Sequence, residues 1–253
     1  MTHSADEFLI CVIARMLDGA GHVAVGAASP IPGAAALLMR ELTDGRLLVS
    51  MIHGRANNPF TDGGREVFDC AGQGRIDVFF LGGVQIDGEA NINLVGIGDY
   101  PAVDTRFPGS FGSAYMYFVV PKVILFRREH TRRVFVPKVD FISAPGISPP
   151  GVYRPGGPKA LVTGLAVFSF DEGRARFRLE SVHPGHTPEE VLDNTGFDVD
   201  VPGDVPTTPD AEPDRLALLR STIGAEVADV YPDFAARVLG AAAGRRGASP
   251  RAG

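Results

Sequence analysis

Hydrophobic positions recur at helical spacing over Ala5–Leu17, where Phe8, Cys11, Val12 and Met16 fall on one face. Ser4, with Glu7 three residues on, supplies the capping-box pair for that helix. Gly19, Ala20 and Gly21 end it, and His22–Gly26 reads as a short buried strand running into the Pro-rich turn Ala27–Pro32. A helical pattern returns over Ala34–Leu42, and Arg46–Ile52 is a strand rich in Leu, Val and Ile. The opening segment therefore predicts an α/β layer pair.

A second unit repeats it. Gly64–Gly74 is helical, and Ile76–Leu81 is an unbroken apolar run ending in Gly82 and Gly83. Continuous apolarity over a strand length signals burial on both faces, as in a parallel sheet covered by helices. Lys122–Phe126 and Val134–Val136 repeat the pattern, whereas Ala160–Phe170 followed by Arg174–Val182 reads as an antiparallel hairpin around Asp171–Gly173. The expected sheet is mixed. Ser143–Pro158 lacks periodicity and reads as a surface loop, and Thr187–Glu190, with Pro188 in the first turn, caps a short helix to Asn194. The resulting division is a main domain over residues 1–200, a linker and terminal helix (Asp214–Ile223) over 201–239, and a frayed tail over 240–253.

Composition narrows the class. Gly 31 and Pro 20 make about one residue in five a turn former, against roughly one in eight on average. The 45% hydrophobic and 21% charged fractions are ordinary, so collagen-like and disordered chains are excluded. With 253 residues, the chain buries roughly 70–75% of its unfolded surface without disulfide or metal staples. Cys11 and Cys70, without a CxxC partner, read as reduced core thiols of a cytoplasmic protein. The acidic start lacks a signal sequence, and no apolar run approaches the roughly 20 residues that span a bilayer. A formal charge of −6 and the absence of Trp argue against nucleic acid, and the histidine spacings against a metal site.

Two segments carry candidate chemistry. Leu81–Asn93 places Gln85, Asp87, Asn91 and Asn93 just beyond the strongest strand, where open α/β sheets bind ligands. Carboxamides there either grip a polarised carbonyl or make turn hydrogen bonds. Phe107–Ala114 is a Gly/Ser loop ahead of a helix, either a nest for an oxyanion or a plain turn.

In order along the chain, GGVQIDGEANIN, PGSFGSA, RREHTRRVFVPKVDFISAPG, PGGPKALVTGLAVFSFD and VHPGHTPEEVLDNTGFDV resemble the β-type subunit of class I CoA-transferases, most closely its glutaconate CoA-transferase branch. The resemblance spans roughly residues 5–200. It implies an open three-layer α/β/α fold with a mostly parallel sheet, an α-type partner subunit, a site between the two subunits, and coenzyme A entering as an acyl-CoA substrate. In the family, a glutamate of the β-type chain attacks the thioester and divides the transfer into covalent steps. That glutamate is missing here: no Glu lies between Glu41 and Glu66, and Met51 or Ile52 stands at the expected place. Three substitutes are open: His53 as general base, Glu89, or an acid on the α-type partner, as in the steroid-ring-opening hydrolases of this fold. The resemblance assigns Gln85, Asn91, Asn93 and the amides near Gly109 and Gly112 to the thioester carbonyl. Tyr115 and Tyr117 either line the acyl pocket or simply pack. The basic cluster Arg127, Arg128, His130, Arg132, Arg133 and Lys138 reads as a solvated or inter-subunit face. The implied activity is CoA transfer between carboxylic acids; hydrolysis of a CoA-thioester substrate and a silent scaffold role remain the alternatives.

Overall fold

The computed structural model describes residues 2–52, 54 and 56–240. The candidate His53 and residues 241–253 of the expected tail lie outside the described residues. The chain runs α1 (Ala5–Arg15), β1 (His22–Val25), α2 (Pro30–Leu42), β2 (Leu48–Met51), α3 (Gly63–Gly72) and β3 (Val78–Leu81). Four two-residue strands follow: β4 (Gln85–Ile86), β5 (Ile92–Asn93), β6 (Gly96–Ile97) and β7 (Thr105–Arg106). Then come α4 (Ser113–Val119), β8 (Lys122–Arg127), β9 (Pro158–Thr163), β10 (Ala166–Asp171), β11 (Arg176–Val182) and α5 (Pro188–Asp193). The C-terminal helices are α6 (Pro213–Leu218), α7 (Gly224–Val230) and α8 (Pro232–Phe234), with π-helical turns at Leu219–Ile223 and Ala235–Leu239.

Local signals set the first elements. The Ser4 hydroxyl accepts from Glu7 N–H at 3.2 Å, and the Glu7 carboxylate accepts from Ser4 N–H at 2.8 Å, so the capping box forms. Helix α2 starts at Pro30, earlier than the periodicity suggests, because a proline in the first turn has no N–H to lose.

The seven-stranded sheet has the order β11-β10-β9-β8-β3-β1-β2. Strands β2, β1, β3, β8 and β9 are parallel, and β10 and β11 are antiparallel, as expected for a mixed sheet. Alternate strand residues serve two cores. Val23, Val25, Val78 and Phe80 pack with α1, α2 and the C-terminal helices, while Ala24, Phe79 and Leu81 pack with α3, α4 and the segment carrying β4 and β5. This two-sided burial is why the run Val78–Leu81 is apolar throughout. Each fully buried leucine of the first core, Leu37 and Leu38 among them, contributes about 2 kcal/mol.

Three expectations need correction. Val134–Val136 is not a strand: Val134 N–H and Phe135 N–H turn back onto Thr131 O, and only Phe135 bridges to Ile86. The apolar stretch Ala160–Phe170 is two strands, folded at Gly164, where Thr163 Oγ1 accepts from the amides of Leu165 and Ala166. A Cβ on Gly164 would sit 2.3 Å from Arg128 O, so only glycine permits that approach. The helix expected at Asp214–Ile223 continues through a π turn to Val230.

Two histidines lock the end of β9. His183 Nε2–H donates to Thr163 O at 3.0 Å, and His130 bonds Thr163 Oγ1 at 2.8 Å and Thr195 Oγ1 at 3.0 Å. Thr195 Oγ1 donates to Val191 O, so it accepts from His130, whose other ring nitrogen is the acceptor. Both rings are built to be neutral, and burial pushes the pKa of each down to about 4. Above the unfolded value near 6.5 neither state carries these protons, so the contribution to stability is complete. As pH falls from about 6.5 to about 4, only the unfolded chain takes them up, and each ring costs about 1.4 kcal/mol per pH unit. Urea unfolding measured across this window will show a falling midpoint, and His183→Gln will reduce the proton uptake on unfolding by one.

Candidate active site

Strand β1 lies between β2 and β3, so the chain leaves β1 in one direction and returns on its other side. Such a switch point opens a crevice at the carboxyl ends of the strands. Two cavities occupy it and share Ser29, Phe80, Leu81 and Gly82 as a wall. One, of about 400 Å³, lies toward α3 and the Gly109–Ser113 loop and is lined by Ile52 and Phe68. The other, of about 770 Å³, lies toward α1 and the start of α2 and is lined by Phe8 and by Arg127–Glu129.

The end of β2 decides what replaces the expected glutamate. Met51 is buried beneath α2, its methyl 2.9 Å from where a Cβ on Gly33 would sit. Ile52 continues the strand through a hydrogen bond from its N–H to Val25 O at 3.1 Å, and it lines the smaller cavity. Successive residues of extended chain face opposite ways. The cavity-facing position is therefore Ile52, an apolar side chain. Glu129 is the one carboxylate among the described residues lining either cavity; the Arg133 guanidinium bonds it at 2.8 Å and holds its pKa below the usual range. Glu89 sits on the exposed β4–β5 turn, outside both linings.

The sequence candidates divide. Gly109 and Gly112 do line the smaller cavity. Gly109 turns the loop at φ +104°, and a Cβ on Gly112 would lie 2.0 Å from the Phe68 ring, which the loop covers with Phe111.

Gln85, Asn91 and Asn93 line neither cavity; all three are buried and spent on neighbours. Asn93 Nδ2 donates to Gln85 Oε1 and to Gly96 O, both at 2.7 Å, while its Oδ1 accepts from Val95 N–H and Gly96 N–H. Gln85 closes onto Asp140 through a donor at 3.1 Å and an acceptor at 3.0 Å. Asn91 donates to Asp87 at 3.1 Å and accepts from Gly146 N–H at 3.1 Å. The three form the inner frame of the β4–β5 arm.

Other expectations shift as well. Tyr117 is core, its hydroxyl donating to Ala90 O at 2.8 Å, and Tyr115 packs edge-on against Phe68. The basic cluster is broken up: His130 is buried, Arg128 pairs with Asp6 at 2.7 Å, Arg133 with Glu129, and Arg132 donates to Asp193 O. Cys11 and Cys70 are free and buried, and burial pushes the Cys11 thiol up to about 11, leaving it unreactive. Sequence reasoning missed Ser29, Phe80 and Phe68 as wall residues. Their signal was positional, two strand ends and one helix face, and no unusual residue type marked them.

No helix among the described residues is long and apolar enough to cross a membrane, and no group of three His, Cys, Asp or Glu side chains among them is placed to hold a metal ion. Over 131 residues the chain is 40% identical to the β-type subunit of glutaconate CoA-transferase from Acidaminococcus fermentans, a match covering 49% of this chain and 48% of that one. The match thus spans about half of that relative's length. The cholesterol ring-cleaving hydrolase IpdB subunit of Rhodococcus jostii is 29% identical over 236 residues, 86% of this chain and 91% of that one. The solved structure of glutaconate coenzyme A-transferase from Acidaminococcus fermentans superposes with a TM-score of 0.77 at 25% identity, covering 92% of this chain and 96% of the other. The coenzyme A transferase profile matches residues 9–194, and with the ordered motifs and the mostly parallel sheet it establishes that the chain belongs to the coenzyme A transferase family.

Proposed function

We propose that this chain is the β-type subunit of a heteromeric enzyme acting on an acyl-CoA thioester held in the β1/β3 crevice. The observation that carries the reading is the cavity at the switch point, walled on one side by the Gly109–Ser113 loop. Relatives that are each named as one subunit of a CoA-transferase support an α-type partner. In this reading amides around Gly109 and Gly112 face the thioester carbonyl, and each well-placed donor is worth roughly 3–4 kcal/mol in the transition state. Gln85, Asn91 and Asn93 hold the frame behind that wall. Coenzyme A is substrate, and no metal takes part.

Transfer of CoA between carboxylic acids is the reaction this reading takes first. A specific observation favours a second one: Ile52 offers no nucleophile where the transferase chemistry needs one. Hydrolysis would then draw its acid from the α-type partner or its base from His53, in keeping with the hydrolase relative. Incubating the co-expressed pair with an acyl-CoA and a carboxylate acceptor separates them. A new acyl-CoA supports transfer, and free acid or a ring-opened product without transfer supports hydrolysis. No turnover, with binding retained, marks a silent scaffold chain.

A further inference from the structure

The C-terminal helices lie beyond the stretch that the family profile matches, which ends at residue 194. They nevertheless reach both loops that wall the crevice. Glu226 of α7 accepts from Arg40 Nη2 at 2.5 Å and from Asn57 Nδ2 at 3.3 Å through one oxygen, and Arg40 Nη1 donates to Asn57 Oδ1 at 2.7 Å. The three side chains close a ring. Asn57 in turn accepts through its backbone carbonyl from Met51 N–H at 2.7 Å, fastening the segment after β2 onto the strand whose next residue, Ile52, lines the cavity. Val230 of α7 lies against Gly54 of the same segment, 3.5 Å from where a Cβ there would sit. Beyond α7, the Tyr231 hydroxyl accepts from Ser29 N–H at 3.3 Å, and Ser29 lines both cavities.

We infer that α7 and Tyr231 form a brace that sets the two crevice loops after β1 and β2, with Glu226, Asn57 and Tyr231 as positioning residues for whatever the crevice binds. The physical case is one of convergence. A loop after a parallel strand has no sheet partner of its own, so its conformation is fixed by side chains that arrive from elsewhere. Here those side chains come from one helix and the residue that follows it. Glu226 is half-buried and bonds Arg40 and Asn57 together, so its removal frees the Asn57 amide and with it the closure onto Met51. The ligand-binding part of this inference rests on the thioester reading above; the mechanical part does not.

Hydrogen exchange on the full-length chain tests the mechanical part. In Glu226→Ala, peptides spanning residues 51–60 are expected to exchange about tenfold faster, while peptides over β3 keep their protection. Glu226→Gln is expected to restore the wild-type rate, because its one amide oxygen can accept both bonds that a single carboxylate oxygen now takes. Asp229→Ala, on the exposed face of the same helix, is expected to change nothing. Should Glu226→Ala not fold, Asn57→Ala cuts the same junction from the loop side. In Tyr231→Phe the rise is expected around Ser29. Unchanged exchange at 51–60, or a uniform rise that includes β3, overturns the brace. Acetyl-CoA binding, measured in parallel, is expected to weaken about tenfold in Glu226→Ala and to recover in Glu226→Gln. If the wild-type chain with its partner binds no acetyl-CoA, the thioester reading fails while exchange still decides the brace.

Discussion

Asn93→Leu is expected to destabilise the chain by about 4 kcal/mol, because each buried polar group left without its partner costs about 1–3 kcal/mol. Asn93 is fully buried and satisfies Val95 N–H, Gly96 N–H, Gly96 O and Gln85 Oε1 at once. Leucine has a similar volume and satisfies none of them. The loss will propagate, since Gln85 Oε1 also accepts from Asp140 N–H at 3.0 Å and Asp140 holds Gly98 N–H at 2.9 Å. Urea denaturation gives the number directly. An oxyanion donor would behave the other way, losing turnover at unchanged stability. A loss of stability below about 1 kcal/mol would therefore return Asn93 to the substrate contacts.

The second large effect is a gain. Ile52→Glu, in the chain paired with its α-type partner, is expected to raise CoA transfer by at least about 100-fold, since a covalent nucleophile typically carries several orders of magnitude. The installed carboxylate would attack the thioester carbonyl, break the C–S bond and release the thiolate, leaving an acyl-glutamyl anhydride. The thiolate then attacks the glutamyl carbonyl, the acyl carboxylate departs, and the chain carries CoA as a thioester that an intact mass measurement records. Met51→Glu is the control: that side chain lies in the core beneath α2, so a buried charge should lower stability and add no adduct. An adduct on Met51→Glu and none on Ile52→Glu would reverse the facing assigned at the end of β2.

Much of the fold was legible in the residues. Apolar runs at Ile76–Leu81 and Lys122–Phe126 announced strands buried on both faces, and Ser4 with Glu7 announced the first helix, because burial and capping are written in short-range patterns. The break at Gly164 was not, since it depends on the Arg128 carbonyl approaching from another strand end. The missing glutamate was equally plain in the sequence, as was membership of a fold with a switch-point crevice.

Which way a polar side chain faces is another matter. The sequence could place Gln85, Asn91 and Asn93 beyond the end of a strand but could not show that Asp140 and Gly146, about 50 residues on, return to take their hydrogen bonds. The same holds for Met51 and Ile52, adjacent in sequence and opposite in space, and for Glu226, whose partners Arg40 and Asn57 lie far upstream. Sequence by itself determined the family, the elements and the absent carboxylate, since these rest on local pattern and residue identity. Tertiary structure alone decided which carboxamides are frame and which residue faces the cavity, because a hydrogen bond is directional and its partner is chosen by the chain's return in space.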